Sequence, residues 1–456
     1  MSKGFLSKIN FKAMCKKKVI VILGSTATGK SDLSVELAIK FNGEVINSDS
    51  MQIYKDVDIV SNKHPIEERK GVPHHLMNFL PLTESYNLKL FEEQCNDKIK
   101  EIHSRSKIPI IVGGTHYYLQ ALFNKSINET ISKDDWTEEQ KTFVKENEFN
   151  STKLYEELKR IDPVMAKKWH PNDNKRVLRM IEIYYSTGDK PSDIYLKQEL
   201  SMRYETVFFW LYSDADVLNQ RLDSRVDKMF TRGAIDEVKF LYEKFQEYNI
   251  EEDLEENMKS GIWQVIGFKE FLPWLKGGCT NDKLFEEGKT VMKTKTRQYA
   301  KKQIKWIKNT LIPDIKGKNL FILDATDLTL WKENVDDRAT TISKNFLKEK
   351  DVSKFDQAPE RIAYLLDLKK LANLEKVSNP IQLKLEQDKF ICNTCKDKNG
   401  DSLVIVGEDT YTLHITGRKH KQGLQYMAKR MKFENWKKEQ LLKSKDSLSP
   451  IEKKDI

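Results

Sequence analysis

The densest chemistry in the sequence is the octet Gly24-Ser-Thr-Ala-Thr-Gly-Lys-Ser31, which satisfies the spacing G-x-x-x-x-G-K-[ST]. It stands between a β-branched run and apolar residues at helical spacing, where such a loop must sit to work. There Gly24, Ser25, Thr26, Ala27, Thr28, Gly29, Lys30 and Ser31 present backbone amides and a helix N-terminus to an anion. Lys30 adds a point charge, and the Ser31 hydroxyl can ligate Mg²⁺. A phosphate or diphosphate is expected here, without saying whose. Asp49 ends the next apolar run, beside this loop in a doubly wound sheet. It could hold Mg²⁺, take a proton from a nucleophile, or be an ordinary surface carboxylate.

A second cluster lies near the other end. Cys392-x2-Cys395, eighteen residues, then His414-x5-His420 is a ligand pattern for structural Zn²⁺, with a hairpin-like DSLVIVG between its halves. The spacer exceeds the roughly 12 residues of the common DNA-reading finger. The pattern resembles the matrin-type or U1-type C2H2 finger of RNA-associated proteins. Arg418, Lys419 and Lys421 surround its last ligand.

Positioning these groups requires a parallel α/β sheet. VIVILG from Val19, GEVINSDS, IPIIVGGT at Ile108 to Thr115 and TVFFWLYS at Thr206 to Ser213 read as buried strands, with loops gathered at their carboxyl ends. Between Ser126 and Tyr204 the strand signal gives way to helical patterns, notably RVLRMIEIYYSTG, with Asn172 or Asp173 placed to cap and Gly188 to stop it. The division this predicts is a basic arm or presequence (1–18), a first core segment (19–125), a helical insertion (126–204), a second core segment (205–330), a connector (331–388), a separate finger module (389–425) and a basic tail (426–456). The fold class is α/β, with a P-loop NTPase-like core.

The P-loop, NSDSMQIY, IPIIVGGTHYYLQALF, HPNDNKRVLRMIEIYYSTGDKPS, GIWQVIGFKEF and TRQYAKKQIKW, in this order from Val19 to Ile312, resemble the tRNA dimethylallyltransferase family. With the finger included, the chain is similar to the fungal, eukaryotic-type members. The resemblance implies a P-loop that grips the diphosphate of dimethylallyl diphosphate, with Mg²⁺ at Ser31, instead of hydrolysing a nucleotide. It implies transfer of the dimethylallyl group to N6 of adenosine 37, beside the anticodon of tRNA. By the same resemblance Asp49 is the general base, Thr26 lies near the reacting carbon, and Arg225, with Arg221 one turn earlier, stabilises the leaving group. Ser50, Met51, Gln52 and Thr115 would line a channel that receives a flipped adenosine.

Arg176 and Arg179 share one face of the insertion helix, opposite Val177, Leu178, Ile181 and Tyr184, which suits phosphate or base contact. Lys293, Arg297, Lys301, Lys305 and Lys308 form a second basic stripe, a solvated face or an RNA surface. Lys302 stands where many relatives carry arginine.

The formal charge of +9 sits at the ends: six lysines and no acid in residues 1–18, and twelve Lys/Arg against five Asp/Glu in residues 411–456. A polyanionic partner is suggested by these ends and not by the body. The acid-free start suits a mitochondrial presequence or a disordered arm, and Met14 could serve as a second start. The tail KRMKFENWKK reads as a nuclear signal or a basic arm. Cytoplasmic, mitochondrial and nuclear pools are the expectation. Five scattered cysteines argue for a reducing compartment, no run is long and apolar enough for a membrane span, and a monomer is expected.

Three other readings share features of this pattern. A small-molecule kinase or ATPase would use Asp49 for Mg²⁺. An enzyme prenylating free adenine nucleotides would not need the insertion, finger and basic extensions. A non-catalytic zinc-finger RNA-binding protein would not need intact Lys30, Ser31, Asp49 and Arg225.

Overall fold

The computed structural model describes residues 18–124, 133–198, 201–248, 258, 260–367, 371, 388–397 and 400–446. The presequence-like stretch before Lys18, Met14 included, and the last ten residues of the tail lie outside them. In chain order the elements are β1 Lys18–Gly24, α1 Lys30–Phe41, β2 Gly43–Asn47, β3 His74–His75, α2 Leu88–Ser104 and β4 Ile108–Val112. Next come α3 Glu138–Asn147, α4 Ser151–Ile161, α5 Pro163–Lys168, α6 Asn174–Thr187 and α7 Pro191–Leu196. They are followed by β5 Glu205–Tyr212, α8 Ala215–Thr231, α9 Ala234–Glu247, α10 Asp282–Trp306, β6 Leu320–Asp324 and α11 Arg338–Leu347. The chain closes with β7 Lys389–Lys396, β8 Ser402–Val406, α12 Glu408–Thr416 and α13 Arg418–Asp446. Two compact units result, residues 1–128 with 199–377 and residues 129–198 with 378–456.

The first unit is built on a six-stranded sheet of order β3-β2-β4-β1-β5-β6, parallel throughout. Strands covered on both faces need apolar residues at every position, which the sequence of β1 supplies. Its alternate residues serve opposite layers. Val19, Val21 and Leu23 pack with Phe91 and Ile99 of α2, while Ile20 and Ile22 pack with Leu33 and Leu37 of α1 and Ile342 of α11. From β1 the chain crosses β4 to reach β2, and after β4 it passes to the other side of β1. The carboxyl ends of β1 and β4 therefore flank a crevice at a topological switch point.

Of the stretch expected to be a connector, 331–388, the residues from Trp331 to Leu366 form a wall of this core. Val335, Ala339, Ile342 and Phe346 are buried at i, i+4, i+7 and i+11, a helical stripe hidden among charged residues. Arg361 then pairs with Asp214 and Asp324, tying the segment to the ends of the β5 and β6 strands.

The second unit holds α3 to α7 together with β7, β8, α12 and α13. Asp173 caps α6 by accepting from the Arg176 amide, and Gly188 ends the helix at φ 74°, as its sequence suggests. The hairpin β7/β8 forms across Cys392 and Leu403. It is not the separate module expected from sequence. Lys389 Nζ donates to the Ala166 carbonyl at 2.7 Å and lies over the Tyr155 ring, and a His170 ring nitrogen meets the Val404 carbonyl at 3.2 Å. Single polar contacts of this kind leave no periodic mark in a sequence. Among the described residues no helix is long and apolar enough to cross a membrane.

Candidate active site

The phosphate loop follows β1 because Gly24 and Gly29 permit it. A Cβ at Gly24 would stand 2.4 Å from the Leu211 carbonyl oxygen, and Gly29 turns into α1 at φ 85° while the Trp331 ring covers it. Thr28 Oγ1 and Lys30 Nζ both donate to the Ser25 carbonyl, at 2.8 and 2.7 Å, which curls the loop on itself. Ala27 sits in the left-handed region at φ 66°. Two loop amides are already engaged: Gly24 N donates to His116 Nε2 at 3.3 Å and Thr26 N to Gln303 Oε1 at 2.9 Å. The amides open to an anion thus narrow from the whole octet to those of Ser25 and of Ala27 to Ser31.

Around this loop the structure gathers the predicted side chains. Thr26, Lys30, Ser31, Asp49 and Gln52 line one cavity, together with Gly113 and Gly114 at the end of β4. Arg225, from the middle of α8, donates through Nη1 to Thr26 Oγ1. Its buried Nε has no hydrogen-bond partner among the described residues, which leaves a donor for an anion. Arg221 does something else. Its guanidinium donates to the Ala325 and Thr326 carbonyls at 2.6 Å each, fastening α8 to the end of β6.

Burial sets the electrostatics. It raises the Asp49 carboxyl above the ordinary carboxylate range against the opposing pull of the Met51 amide and the Lys30 charge. Burial also lowers Lys30 to about 7, opposed by Asp49 and aided by Arg225. Arg225 falls to about 10 for the same reason. Two cations and one carboxylate thus share a desolvated site that would gain from a bound dianion.

Asp49 is held by its own turn, Asp49 N donating to Asn47 Oδ1 and Met51 N to Asp49 Oδ1, both at 3.0 Å. Thr115 Oγ1 accepts from Ser50 N at 2.9 Å and donates to Ser50 Oγ at 3.0 Å, so the two predicted channel residues lock the β2 and β4 loops together. Gln52 Nε2 anchors the next loop at the Asn62 carbonyl, 2.9 Å away, and Met51 packs on an apolar cluster.

Several neighbours carry no readable signal in the sequence. Gly114 leaves room for two site residues, since a Cβ there would meet Gln303 Nε2 at 2.6 Å and Asp49 Oδ2 at 2.8 Å and displace both. Gln303 and Tyr299 come from α10, both bonded to the Gly114 carbonyl, at 2.8 and 3.2 Å. His116, pushed down to about 3 by burial and by Lys30, is a neutral acceptor under the loop. His64, His74 and Met77 complete the cavity wall.

Arg176 and Arg179 lie in the second unit. Arg176 is exposed and pairs with Asp173 at 2.6 Å, and Arg179 stands 3.6 Å from Glu182. The α10 stripe divides: Lys293 and Arg297 pair with Asp227 and Asp223 of α8 and so hold two helices together, while Lys301, Lys305 and Lys308 are exposed.

In the second unit Cys392, Cys395, His414 and His420 converge with all donor atoms within 4.8 Å of one another. His420 Nδ1 lies 3.4 and 3.7 Å from the two sulfurs and 3.2 Å from His414 Nε2. A tetrahedral Zn²⁺ with ordinary bond lengths needs donor separations of roughly 3.3–3.8 Å; the two nitrogen–sulfur separations fall in that range and the nitrogen–nitrogen one lies just under it.

A sequence-family profile described as IPP transferase matches residues 52–310. The tRNA dimethylallyltransferase of Saccharomyces cerevisiae is 46% identical, over 92% of this chain and 95% of that protein. The chain belongs to the tRNA dimethylallyltransferase family. The family's Schizosaccharomyces pombe protein of the same name is 38% identical over 89% of this chain and 94% of its own. A crystal structure of a eukaryotic dimethylallyltransferase acting on tRNA superposes with a TM-score of 0.79 at 46% identity, covering 92% of this chain and all of that one. The α/β fold with its parallel six-stranded sheet is thus the fold of the family.

Proposed function

We propose that this chain transfers the dimethylallyl group of dimethylallyl diphosphate to N6 of adenosine 37 in tRNA, releasing diphosphate and leaving N6-isopentenyladenosine. The observation that carries the chemistry is the shared cavity of Lys30, Ser31 and Asp49 with the Arg225 guanidinium bonded to Thr26 at its edge. Membership of the family supplies the substrate pair.

An allylic carbon parts from diphosphate readily because the developing cation is delocalised, so the protein's main task is to stabilise the departing charge and exclude water. The late loop amides, Lys30 and the unpartnered Nε of Arg225 provide that stabilisation. As the C1–O bond breaks, its electron pair goes to the diphosphate. The adenine nitrogen forms the C1–N bond, and its proton passes to the Asp49 carboxylate. A raised carboxyl suits this acceptance, since the protonated product is not strongly disfavoured. Ser50 and Thr115, locked to each other, and Met51 and Gln52 form the acceptor side of the site.

Ser31 would hold Mg²⁺ against the diphosphate. One protein oxygen beside Lys30 suits an ion that keeps most of its water and takes its other ligands from phosphate. Bound there, the ion would neutralise leaving-group charge. Zn²⁺ in the Cys392, Cys395, His414, His420 set would be structural, and the basic residues near it, with Arg176 and Arg179, would contact the tRNA backbone.

Incubating the full chain with labelled dimethylallyl diphosphate, Mg²⁺ and unmodified tRNA tests the reading: label is expected on adenosine. ATP turnover without label transfer would favour a kinase or ATPase instead. The Asp49 turn speaks against that alternative, because Oδ1 is committed to the Met51 amide and only Oδ2 is left to face the site.

A further inference from the structure

His64 serves neither the transfer chemistry nor the zinc set. It is 6% exposed, and neither ring nitrogen has a hydrogen-bond partner among the described residues. Buried polar nitrogens are ordinarily met by a partner, so an unassigned one is the natural explanation. Two carboxylates converge on one of its nitrogens. Glu68 Oε2 lies 3.5 Å and Asp32 Oδ1 3.8 Å from His64 Nε2, and the three donor atoms fall within 4.8 Å of one another.

These separations are too long or misaligned for hydrogen bonds, but they are the edge lengths of a coordination polyhedron. Ligands about 2.0–2.2 Å from one ion at near-tetrahedral angles stand roughly 3.3–3.6 Å apart, and somewhat farther at wider angles. We propose that His64 Nε2 with the Asp32 and Glu68 carboxylates forms a second divalent-metal site, distinct from the finger and from the diphosphate Mg²⁺. In this mixed set the imidazole suits Zn²⁺ and the two carboxylates also admit Mn²⁺, while an all-oxygen set would be the choice of Ca²⁺ or Mg²⁺. Asp32 and Glu68 are each more than half exposed, so the ion enters from solvent and completes its shell with water.

The site joins two elements that shape the donor pocket. Asp32 stands in the first turn of α1, directly after the phosphate loop. His64 and Glu68 belong to the loop whose Asn62 carbonyl anchors Gln52, and His64 itself faces the cavity that Lys30 and Ser31 line. Arg69 steadies this loop by donating to the His64 carbonyl at 2.9 and 2.7 Å. The ion is a clip between helix and loop, and it does not depend on the donor being bound.

Mn²⁺ titration of the zinc-loaded full chain, followed by electron paramagnetic resonance without diphosphate present, tests this. Uptake of about one Mn²⁺ per chain with nitrogen hyperfine coupling from an imidazole is expected. His64→Leu, Asp32→Asn and Glu68→Gln should each weaken it by about tenfold or more. The two carboxylate changes are at exposed side chains and keep the test decisive if His64→Leu does not fold. No Mn²⁺ uptake, uptake without nitrogen coupling, or uptake equal in wild type and all three variants would overturn the proposal.

Discussion

Gln303 accepts a hydrogen bond from the Thr26 amide at 2.9 Å across a sequence separation of 277 residues, while its amide nitrogen donates to the Gly114 carbonyl at 2.8 Å. One side chain of α10 thereby sets the distance between the phosphate loop after β1 and the glycine turn after β4. Replacing it leaves two buried backbone groups less well satisfied. Gln303→Ala is expected to lower stability by about 1–3 kcal/mol in denaturant titration. It should also raise the KM for dimethylallyl diphosphate, because the loop loses its brace. Gln303→Glu keeps the acceptor and loses the donor, so its effect should be intermediate.

Asp49→Asn separates proton acceptance from donor binding. The amide oxygen can still take the Met51 N–H, so the turn should survive. Single-turnover transfer is expected to fall about 10² to 10⁴-fold. Donor affinity, measured by equilibrium binding, should hold or rise, since a negative charge beside Lys30 has been removed. Unchanged turnover would remove Asp49 from the chemistry.

The pH dependence follows from two displaced groups. Burial holds Asp49 protonated to a higher pH than an ordinary carboxyl, so turnover should climb as pH rises through that displaced value. Lys30, lowered to about 7, is charged below that pH and loses its charge above it, so donor capture should weaken as pH rises past about 7. A bell-shaped kcat/KM for the donor is expected, with the alkaline limb set by the free enzyme. In kcat the same limb should move upward, because bound diphosphate favours the ammonium. Lys30→Arg should abolish the alkaline limb, and a wild-type profile flat above pH 7 would remove Lys30 from donor capture.

Removing zinc is expected to reach beyond the finger. Cys395→Ser breaks the ligand set, and the hairpin that loses its anchor is the one bonded to the insertion through Lys389 and His170. Hydrogen exchange should therefore quicken in α4 and α5 as well as in β7 and β8, and tRNA affinity should fall. Affinity for dimethylallyl diphosphate should stay as it was. Loosening confined to the finger would restore the picture of an independent module.

Legible in the sequence is whatever leaves a local pattern. The octet at Gly24, the buried runs, the α6 caps and the Cys and His spacing each follow from short-range physics, and each has its counterpart in the structure. The residues it hides are those whose meaning is set by distant partners. Gln303 and Tyr299 look like ordinary members of a basic helix, and only the packing of α10 brings them to Gly114. Lys293 and Arg297 show the converse: their spacing suggests a solvated face or an RNA surface, and acidic partners on α8 claim them. The wall from Val335 to Phe346 reads as a connector because its charged residues mask an apolar stripe at helical spacing.

The brace at Gln303 also orders events in time. A chain emerging from the ribosome presents the octet within its first tenth, yet β5, which flanks β1, arrives only near residue 205, and the brace near residue 303. Until then β1 lacks one neighbour and the Thr26 amide lacks its acceptor, so the phosphate loop reaches its final form only after about two thirds of the chain has been made.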